Sequence, residues 1–166
     1  MSIYVHVSYI YEEEKMGYKI YQIDRKFKKT EAWRDHTLSE IQFGFDVDEE
    51  YIEENFKPVF MYNYRNVVNV DVNGKDLWDL YRILNLHEYV VDGENRYEEI
   101  ISNYETKEIT RDGKTFEMKM FHSLSIGDIV YDDEARKFYI LGETFIDITE
   151  KASVFMDPKV TPMEVA

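Results

Sequence analysis

The residues with the clearest chemical potential lie in one short stretch, where His122 is followed by Ser123 and, two positions later, by Ser125. A histidine beside a serine could belong to a hydrolase site, in which the imidazole takes the proton of the hydroxyl nucleophile. Neighbouring residues of an extended segment point to opposite faces, however, and the chain has no G-x-S-x-G nucleophile elbow. The sequence therefore favours turn-fixing hydrogen bonds as the role of these hydroxyls and predicts no catalytic residue.

Metal and cofactor sites need ligands at defined spacings, which this chain does not offer. It has no cysteine, and its four histidines are scattered without H-x-x-x-H or H-x-E spacing. The run Asp46-x-Asp48-x-Glu50 is similar to the start of a calcium loop but lacks the glycine at the sixth position. The seven glycines are dispersed and form no phosphate-binding loop. The sequence thus predicts neither a metal site nor a cofactor.

Carboxylates dominate the charge of the chain. Thirty-four Asp and Glu against twenty Lys and Arg give a formal net charge of -14. The resulting field should repel nucleic acid and anionic membranes, so neither is a predicted partner. A strongly negative small protein can instead attract a protein whose own surface holds phosphates. Solubility alone is the other explanation of such a charge.

The densest acidic block spans residues 35–56, which include no Lys or Arg. Asp46 or Asp48 can cap a short helix whose first turn is rich in acids, with Ile52 and Phe56 on its apolar side. Such a helix would show its carboxylates to solvent. The partner-binding residues predicted from this block are Asp46, Asp48, Glu49, Glu50, Glu53 and Glu54.

The elements that must position these groups are mostly strands. Alternation of apolar side chains predicts strands at residues 3–11, 18–23, 58–64, 66–72 and 137–148, the last with Gly142 as the place for a bulge. Two further strands flank Arg111-Asp112-Gly113, a combination typical of a β-hairpin. Helical spacing of apolar residues predicts helices at residues 76–86, capped by Asp76, and at 94–104, and a helix could open around residues 35–41.

These elements and the composition together predict one domain. A chain of 166 residues, 44% apolar and with 14 Tyr and 10 Phe, can fill a single core. We predict a single α+β domain over residues 1–155, in which an antiparallel sheet carries two or three packed helices, and a loose tail at residues 156–166. Without cysteines, a leader peptide or a long apolar run, the expected location is the cytoplasm.

One stretch carries a family resemblance. His-Ser-Leu-Ser-Ile-Gly-Asp before a predicted strand resembles the signature of YodL-like domains, and its matching residues are His122, Ser123, Leu124, Ser125, Gly127 and Asp128. Residues 18–23 are similar to the opening strand of that family, and the predicted helix ending at Asn85 is similar to the one before the signature. The match at residues 137–142 is loose. Residues 87–120 would be an insertion, and the Asp-Ser-Phe-Gly ending of the family is absent.

The resemblance implies a biological context and no chemistry. YodL-like domains are carried by phages, plasmids and conjugative elements, often beside antirestriction proteins, and have no established activity. With the charge, this context suggests a non-enzymatic acidic module that inhibits a host nucleic-acid-binding defence enzyme, of the anti-CRISPR or antirestriction type, by imitating DNA phosphates. The signature itself is expected to orient the last hairpin, with Asp128 bonding backbone donors and Leu124 reaching the core.

Two other functions stay open at this point. A strand that is entered through Gly-Asp and is rich in aromatic residues also occurs in PUA-like barrels, so the alternative is a small-ligand or RNA-binding module without catalysis. The net charge argues against RNA as its ligand. An enzyme would require the fold to bring a histidine and two carboxylates together in one pocket.

Overall fold

A computed structural model of the chain describes residues 17–24, 47–56 and 63–152. Several predictions concern other residues and lie outside this part of the chain. They are the strand at residues 3–11, the helix at 35–41, the position of Asp46, most of the strand at 58–64 and the tail at 156–166.

A six-stranded antiparallel sheet forms the centre of the fold, which confirms the predicted α+β class. Its strands, in spatial order, are β10 (Phe145–Asp147), β9 (Lys137–Leu141), β8 (Ile129–Asp132), β1 (Tyr18–Ile23), β2 (Tyr64–Val70) and β5 (Ile101–Ser102). Each pair of neighbours is antiparallel. Strand β1 therefore lies inside the sheet, hydrogen-bonded on both sides.

Two ribbons and four helices complete the described part of the chain. The ribbons are β3 (Val90–Val91) paired with β4 (Glu94–Asn95), and β6 (Thr106–Arg111) paired with β7 (Lys114–Lys119). The helices are α1 (Glu49–Asn55), α2 (Leu77–Leu86), α3 (Tyr97–Ile100) and α4 (Thr149–Ala152). The hairpin predicted around Asp112-Gly113 and the helix predicted after Asp76 are both confirmed.

The helix predicted over residues 94–104 is wrong in its extent. Only α3 is helical, after which the chain joins the sheet edge as β5. The carbonyl of Ile100 accepts a hydrogen bond from the backbone N–H of Asp71 at 2.7 Å, and Asn103 has a positive φ of 54°. A backbone partner distant in sequence thus overrides the local helical spacing. Both α3 and β5 pack into the core, so only the two ribbons of segment 87–120 stand apart from it.

Hydrophobic cores cover both faces of the sheet. On one face, the core contains Ile52 from α1 and Ala152 from α4. On the other face, Leu80 and Leu84 from α2 pack with Tyr97 from α3. Since the sheet lies between two helical layers, its strands are held mainly by burial. Among the described residues, no helix has the length and apolar character needed to cross a bilayer.

The acidic helix α1 is stabilised at both ends by side chains. At its start, the Asp48 carboxylate accepts a hydrogen bond from the backbone N–H of Tyr51 at 2.8 Å, which makes Asp48 the N-cap. At its end, Lys151 Nζ donates to the backbone carbonyls of Ile52 (3.2 Å), Glu53 (2.9 Å) and Phe56 (3.4 Å). The lysine thereby bonds carbonyls that a helix end leaves unpaired and places a positive charge at the negative end of the helix dipole.

A close backbone approach attaches the start of α1 to the sheet. Val47, just before the N-cap, is fully buried, and its carbonyl accepts a hydrogen bond from the backbone N–H of Glu143 at 2.8 Å. Gly142 lies against the same carbonyl, so that a Cβ at position 142 would be 2.3 Å from the oxygen of Val47. The absence of a side chain at Gly142 therefore sets how closely α1 can approach the turn between β9 and β10.

Gly142→Ala should destabilise the protein because the added methyl group must push Val47 out of the core. We expect the free energy of unfolding, measured by urea denaturation, to fall by about 1–3 kcal/mol. Glu143→Ala is the matched control, since its exposed side chain is removed while its backbone bond to Val47 stays. Equal stability of the two variants would contradict this account of Gly142.

Candidate functional site

Five of the six carboxylates predicted to bind a partner lie together on one exposed surface. Asp48, Glu49, Glu50, Glu53 and Glu54 are all exposed, and we call this surface the acidic face. Asp46 lies outside the described residues. Glutamates four residues apart stand one helical turn from each other, which gives the pairs 49/53 and 50/54. Within the described chain, none of the four glutamates forms an ion pair with a lysine or arginine.

The acidic face borders a groove that also contains carboxylates from the far end of the chain. The groove has a volume of about 420 Å³. We call it the acidic groove, because its lining holds four carboxylates, from Glu49, Glu53, Asp147 and Glu150, and one ammonium, from Lys151. The nearly buried Ile52, Ile146 and Ile148 complete the lining with Thr149. Sequence reasoning missed Asp147 and Glu150, because only the packing of β10 and α4 against α1 brings them there. No local pattern in the sequence points to this proximity.

Asp147 is held in its charged form. Burial acts to raise the pKa of this carboxyl, but hydrogen bonds from the Thr149 hydroxyl (2.6 Å) and backbone N–H (2.9 Å), with the nearby charge of Lys137, outweigh burial and lower the pKa. The Lys137 ammonium is 3.8 Å from the carboxylate. Asp147 therefore contributes a fixed negative charge to the acidic groove at neutral pH.

The carboxylates of this region are spread along α1, β10 and α4. In the ranges that the structure describes, no group of three or more His, Asp or Glu side chains is placed to hold a metal ion.

The signature segment is held by two carboxamides, one buried and one half-buried. Gln22, only 2% exposed, accepts from the backbone N–H of His122 at 3.2 Å and donates to the carbonyl of the same residue at 2.9 Å. Asn85, at the end of α2, makes the same pair with Leu124, with distances of 2.7 and 3.2 Å. Each side-chain amide thus bonds both the N–H and the C=O of one backbone residue, as the backbone of a neighbouring β-strand does in a hydrogen-bonded pair. The segment is bound to β1 on one side and to α2 on the other.

A buried carboxylate closes the turn of the signature. Asp128, fully buried, accepts from the backbone N–H of Ser125 at 2.8 Å and from Gln22 Nε2 at 3.0 Å. Gly127 has a φ of 90°, which favours glycine, and its carbonyl accepts a 2.6 Å hydrogen bond from the Tyr64 hydroxyl. The turn therefore leads directly into β8 and is held by hydrogen bonds from Gln22 and Tyr64.

The serine and histidine side chains of the signature bond to the backbone and not to each other. Two hydrogens of the Gln22 amide go to the His122 carbonyl and to Asp128, so His122 Nδ1 carries the hydrogen and donates to the Ser123 carbonyl at 2.7 Å. The Ser125 hydroxyl donates to that same carbonyl at 3.0 Å. In the described part of the chain, neither hydroxyl is bonded to the imidazole, and no Ser-His nucleophile pair forms at this place.

Comparisons with protein-family models, with curated proteins and with solved structures found no match to this chain. The resemblance of the signature to YodL-like domains therefore stays a prediction from that short segment and the elements around it.

Gln22→Leu should strongly destabilise the protein because it leaves buried backbone groups of His122 and the Asp128 carboxylate without their partner. We expect a loss of about 2–4 kcal/mol in the free energy of unfolding, measured by urea denaturation. Ser123→Ala, which removes an exposed hydroxyl from the same segment, should change it by less than about 0.5 kcal/mol. Comparable losses in both variants would show that Gln22 has no special role.

The stability should fall at alkaline pH, and Tyr64 should account for part of the fall. Burial, with the nearby charge of Asp128, raises the pKa of Tyr64 well above its usual value, and burial raises the pKa of Tyr18 and of Tyr97 to about 12. A raised folded-state pKa means that the unfolded chain loses its protons first. The contribution of these protonated tyrosines to the free energy of unfolding is complete below about pH 10, and it is lost as the pH rises through their pKa values in the folded state.

Tyr64→Phe tests this dependence. At neutral pH the variant should lose about 1–3 kcal/mol, because the Gly127 carbonyl loses its donor. Above about pH 10, the stability of the wild type should fall more steeply than that of the variant, by about 1.4 kcal/mol per pH unit for one proton. Urea denaturation between neutral pH and pH 11 measures both slopes, and equal slopes would rule Tyr64 out as the source.

Proposed function

We propose that this chain is a non-catalytic binding module whose acidic face occupies a basic, nucleic-acid-binding surface of a partner protein. The observation that supports this function is the density of exposed carboxylates on α1. Four carboxylates lie on the helix itself, at residues 49, 50, 53 and 54, over five helical steps of 1.5 Å that span about 7.5 Å. One charge per about 1.9 Å is close to duplex DNA, which carries one per about 1.7 Å of its axis.

The supports of α1 suit such a role. The Asp48 cap, the Lys151 ammonium and the buried Ile52 hold the helix in one orientation, so its charges are arranged before a partner arrives. A preformed surface loses less conformational entropy on binding than a flexible acidic segment would. Because the carboxylates are exposed, the partner's Lys and Arg side chains exchange hydration water and counterions for them much as they would on DNA.

The context implied by the signature narrows the proposed partner. YodL-like domains belong to mobile genetic elements, whose carriers gain when a host defence nuclease cannot hold nucleic acid. We therefore propose, as partner class, an RNA-guided effector or a restriction enzyme, and the bacterial cytoplasm as the place of action. Duplex DNA and the acidic face would compete for one basic surface of that enzyme.

The alternative of a PUA-like RNA-binding or small-ligand module receives less support. Base stacking would need aromatic side chains exposed on the sheet. Phe138 of β9 is instead only 2% exposed, and hydrophobic cores cover both faces of the sheet.

The experiment compares two charge-reversed variants with equal net charge. Glu50→Lys, Glu53→Lys and Glu54→Lys together change the acidic face and leave the Asp48 cap intact. The control carries Glu88→Lys, Glu108→Lys and Glu117→Lys, three exposed sites elsewhere. Each triple variant adds six charges to the formal -14 and so has a net charge of -8. A difference between the two therefore reports the position of the charge.

A panel of purified RNA-guided effectors and restriction enzymes is assayed for DNA cleavage with and without the chain, and affinities are measured for each enzyme that is inhibited. We expect the acidic-face variant to bind at least about 30-fold more weakly, corresponding to about 2 kcal/mol, and the control to retain its affinity. Added duplex DNA should displace the wild-type chain. Equal affinity of the two variants would overturn the imitation of phosphates, and a panel without any inhibited enzyme would overturn the defence role.

A further inference from the structure

The β6–β7 hairpin projects from the body of the protein. It lies outside the six-stranded sheet, and its turn residues Asp112 and Gly113 both have positive φ, 53° and 75°, as the tight turn of a two-residue hairpin requires. At its base, Lys119 forms a 3.0 Å ion pair with Glu98. Beyond the base, most of its side chains are exposed on both strands. An isolated two-stranded ribbon is only marginally stable in water, so this one has much to gain from a partner.

The strand register gives the hairpin two chemically different faces. On one face the cross-strand pairs are Lys107 with Met118, Ile109 with Phe116 and Arg111 with Lys114, and we call these six residues the cationic hairpin face. The opposite face carries Glu108 and Glu117, and its Thr110 and Thr115 hydroxyls are 3.0 Å apart. Three cations therefore surround an apolar centre on one side only.

The cationic hairpin face has no partner within the described chain. Phe116 is 43% exposed, although a phenyl ring gains from burial. In the described ranges, Lys107, Arg111 and Lys114 form no ion pair. In a chain with a net charge of -14, three such cations around an exposed ring favour an occupant with an apolar centre and an acidic rim.

The acidic groove has that combination. Its lining carries four carboxylates, from Glu49, Glu53, Asp147 and Glu150, against the single ammonium of Lys151, and its volume is about 420 Å³. Three isoleucines, each at most 5% exposed, lie between these charged groups. An apolar cavity of about 150 Å³ suffices to hold benzene, so the acidic groove has room for the ring of Phe116. The two surfaces are therefore complementary in charge.

The two surfaces lie at opposite ends of the same molecule. The hairpin follows β5, the last strand at one edge of the sheet, whereas the acidic groove lies beside β10 at the other edge. Five strand spacings of about 4.8 Å separate these edges by about 24 Å. In agreement with this separation, no residue of the hairpin lines the acidic groove of its own chain. We propose that the cationic hairpin face of one copy docks in the acidic groove of a second copy, so that the chain associates head to tail.

The contact should be weak and dependent on concentration. A hairpin face and a single groove bury less than the 1,200 Å² or so that stable complexes need at minimum. Two copies also repel one another through their net charge, although physiological salt screens this repulsion beyond about 8 Å. A nucleic acid is a less favoured ligand of the hairpin, because the net charge of -14 repels its phosphates and only three cations of the hairpin face attract them.

The test uses sedimentation velocity of the full-length chain at protein concentrations up to the millimolar range, with a pair of complementary variants. The hairpin variant carries Lys107→Glu, Arg111→Glu and Lys114→Glu, and the groove variant carries Glu49→Lys and Glu53→Lys. We expect the wild type to increase in mass with concentration, and each variant alone to associate at least tenfold more weakly. A mixture of the two should associate again, because both contacts in the mixture join opposite charges.

Control variants separate the proposed contact from unspecific effects. Glu108→Lys with Glu117→Lys reverses charges on the opposite face of the same hairpin and should preserve the association. Phe116→Ser keeps every charge and should weaken the association, and it decides the matter if circular dichroism shows that a charge-reversed variant does not fold. A wild type that remains monomeric, or a folded mixture that does not associate, would overturn the proposal. Wild-type binding to labelled RNA or duplex DNA that is lost in the hairpin variant would assign the hairpin to nucleic acid instead.

Discussion

The buried carboxamide of Gln22 joins three parts of the chain that the rest of the fold depends on. It belongs to β1 inside the sheet, it pairs with the backbone of His122, and it donates to Asp128 just before β8. Asp128 in turn fixes the backbone of Ser125. An apolar residue at position 22 would fill similar space but could not bond these groups. The direction in which the chain enters β8, and with it the position of the final hairpin, therefore rests on one amide in the core.

Polar groups inside and outside this protein have different tasks. Inside, Gln22, Asn85 and Asp128 pair with backbone groups and determine the path of the chain. Outside, the carboxylates of the acidic face form no ion pair with a lysine or arginine in the described chain. Lys151, the lysine next to α1, donates its hydrogen bonds to backbone carbonyls at the end of the helix and not to the glutamates. The charge of α1 is thus left available while the helix itself is held firmly. A helix that is fixed through its backbone while its carboxylates stay exposed supports an interaction role more directly than the net charge of the chain does.

Features that depend on local chemistry could be predicted from the sequence. The caps at Asp48 and Asp76 and the Asp112-Gly113 turn each follow from a residue type and its immediate neighbours. The strand predicted at residues 18–23, which contains Gln22, is also present. The helix expected over residues 94–104 failed because a backbone bond from Asp71 takes the Ile100 carbonyl. The meeting of Asp147 with α1, and the pairing of Gln22 with His122, arise only from tertiary packing, since about a hundred residues separate the partners in each case.

The hydrogen bonds from Lys151 determine when, during synthesis of the chain, α1 can become stable. A helix of seven residues is too short to persist alone in water, so α1 depends on its tertiary supports. The lysine that bonds the Glu53 carbonyl lies 98 residues further along the chain. While the ribosome is still synthesising the segments in between, the acidic helix lacks its terminal support, whatever the state of the early strands. The charges of α1 therefore become a fixed array only after residue 151 has been synthesised, about a hundred residues after the helix itself.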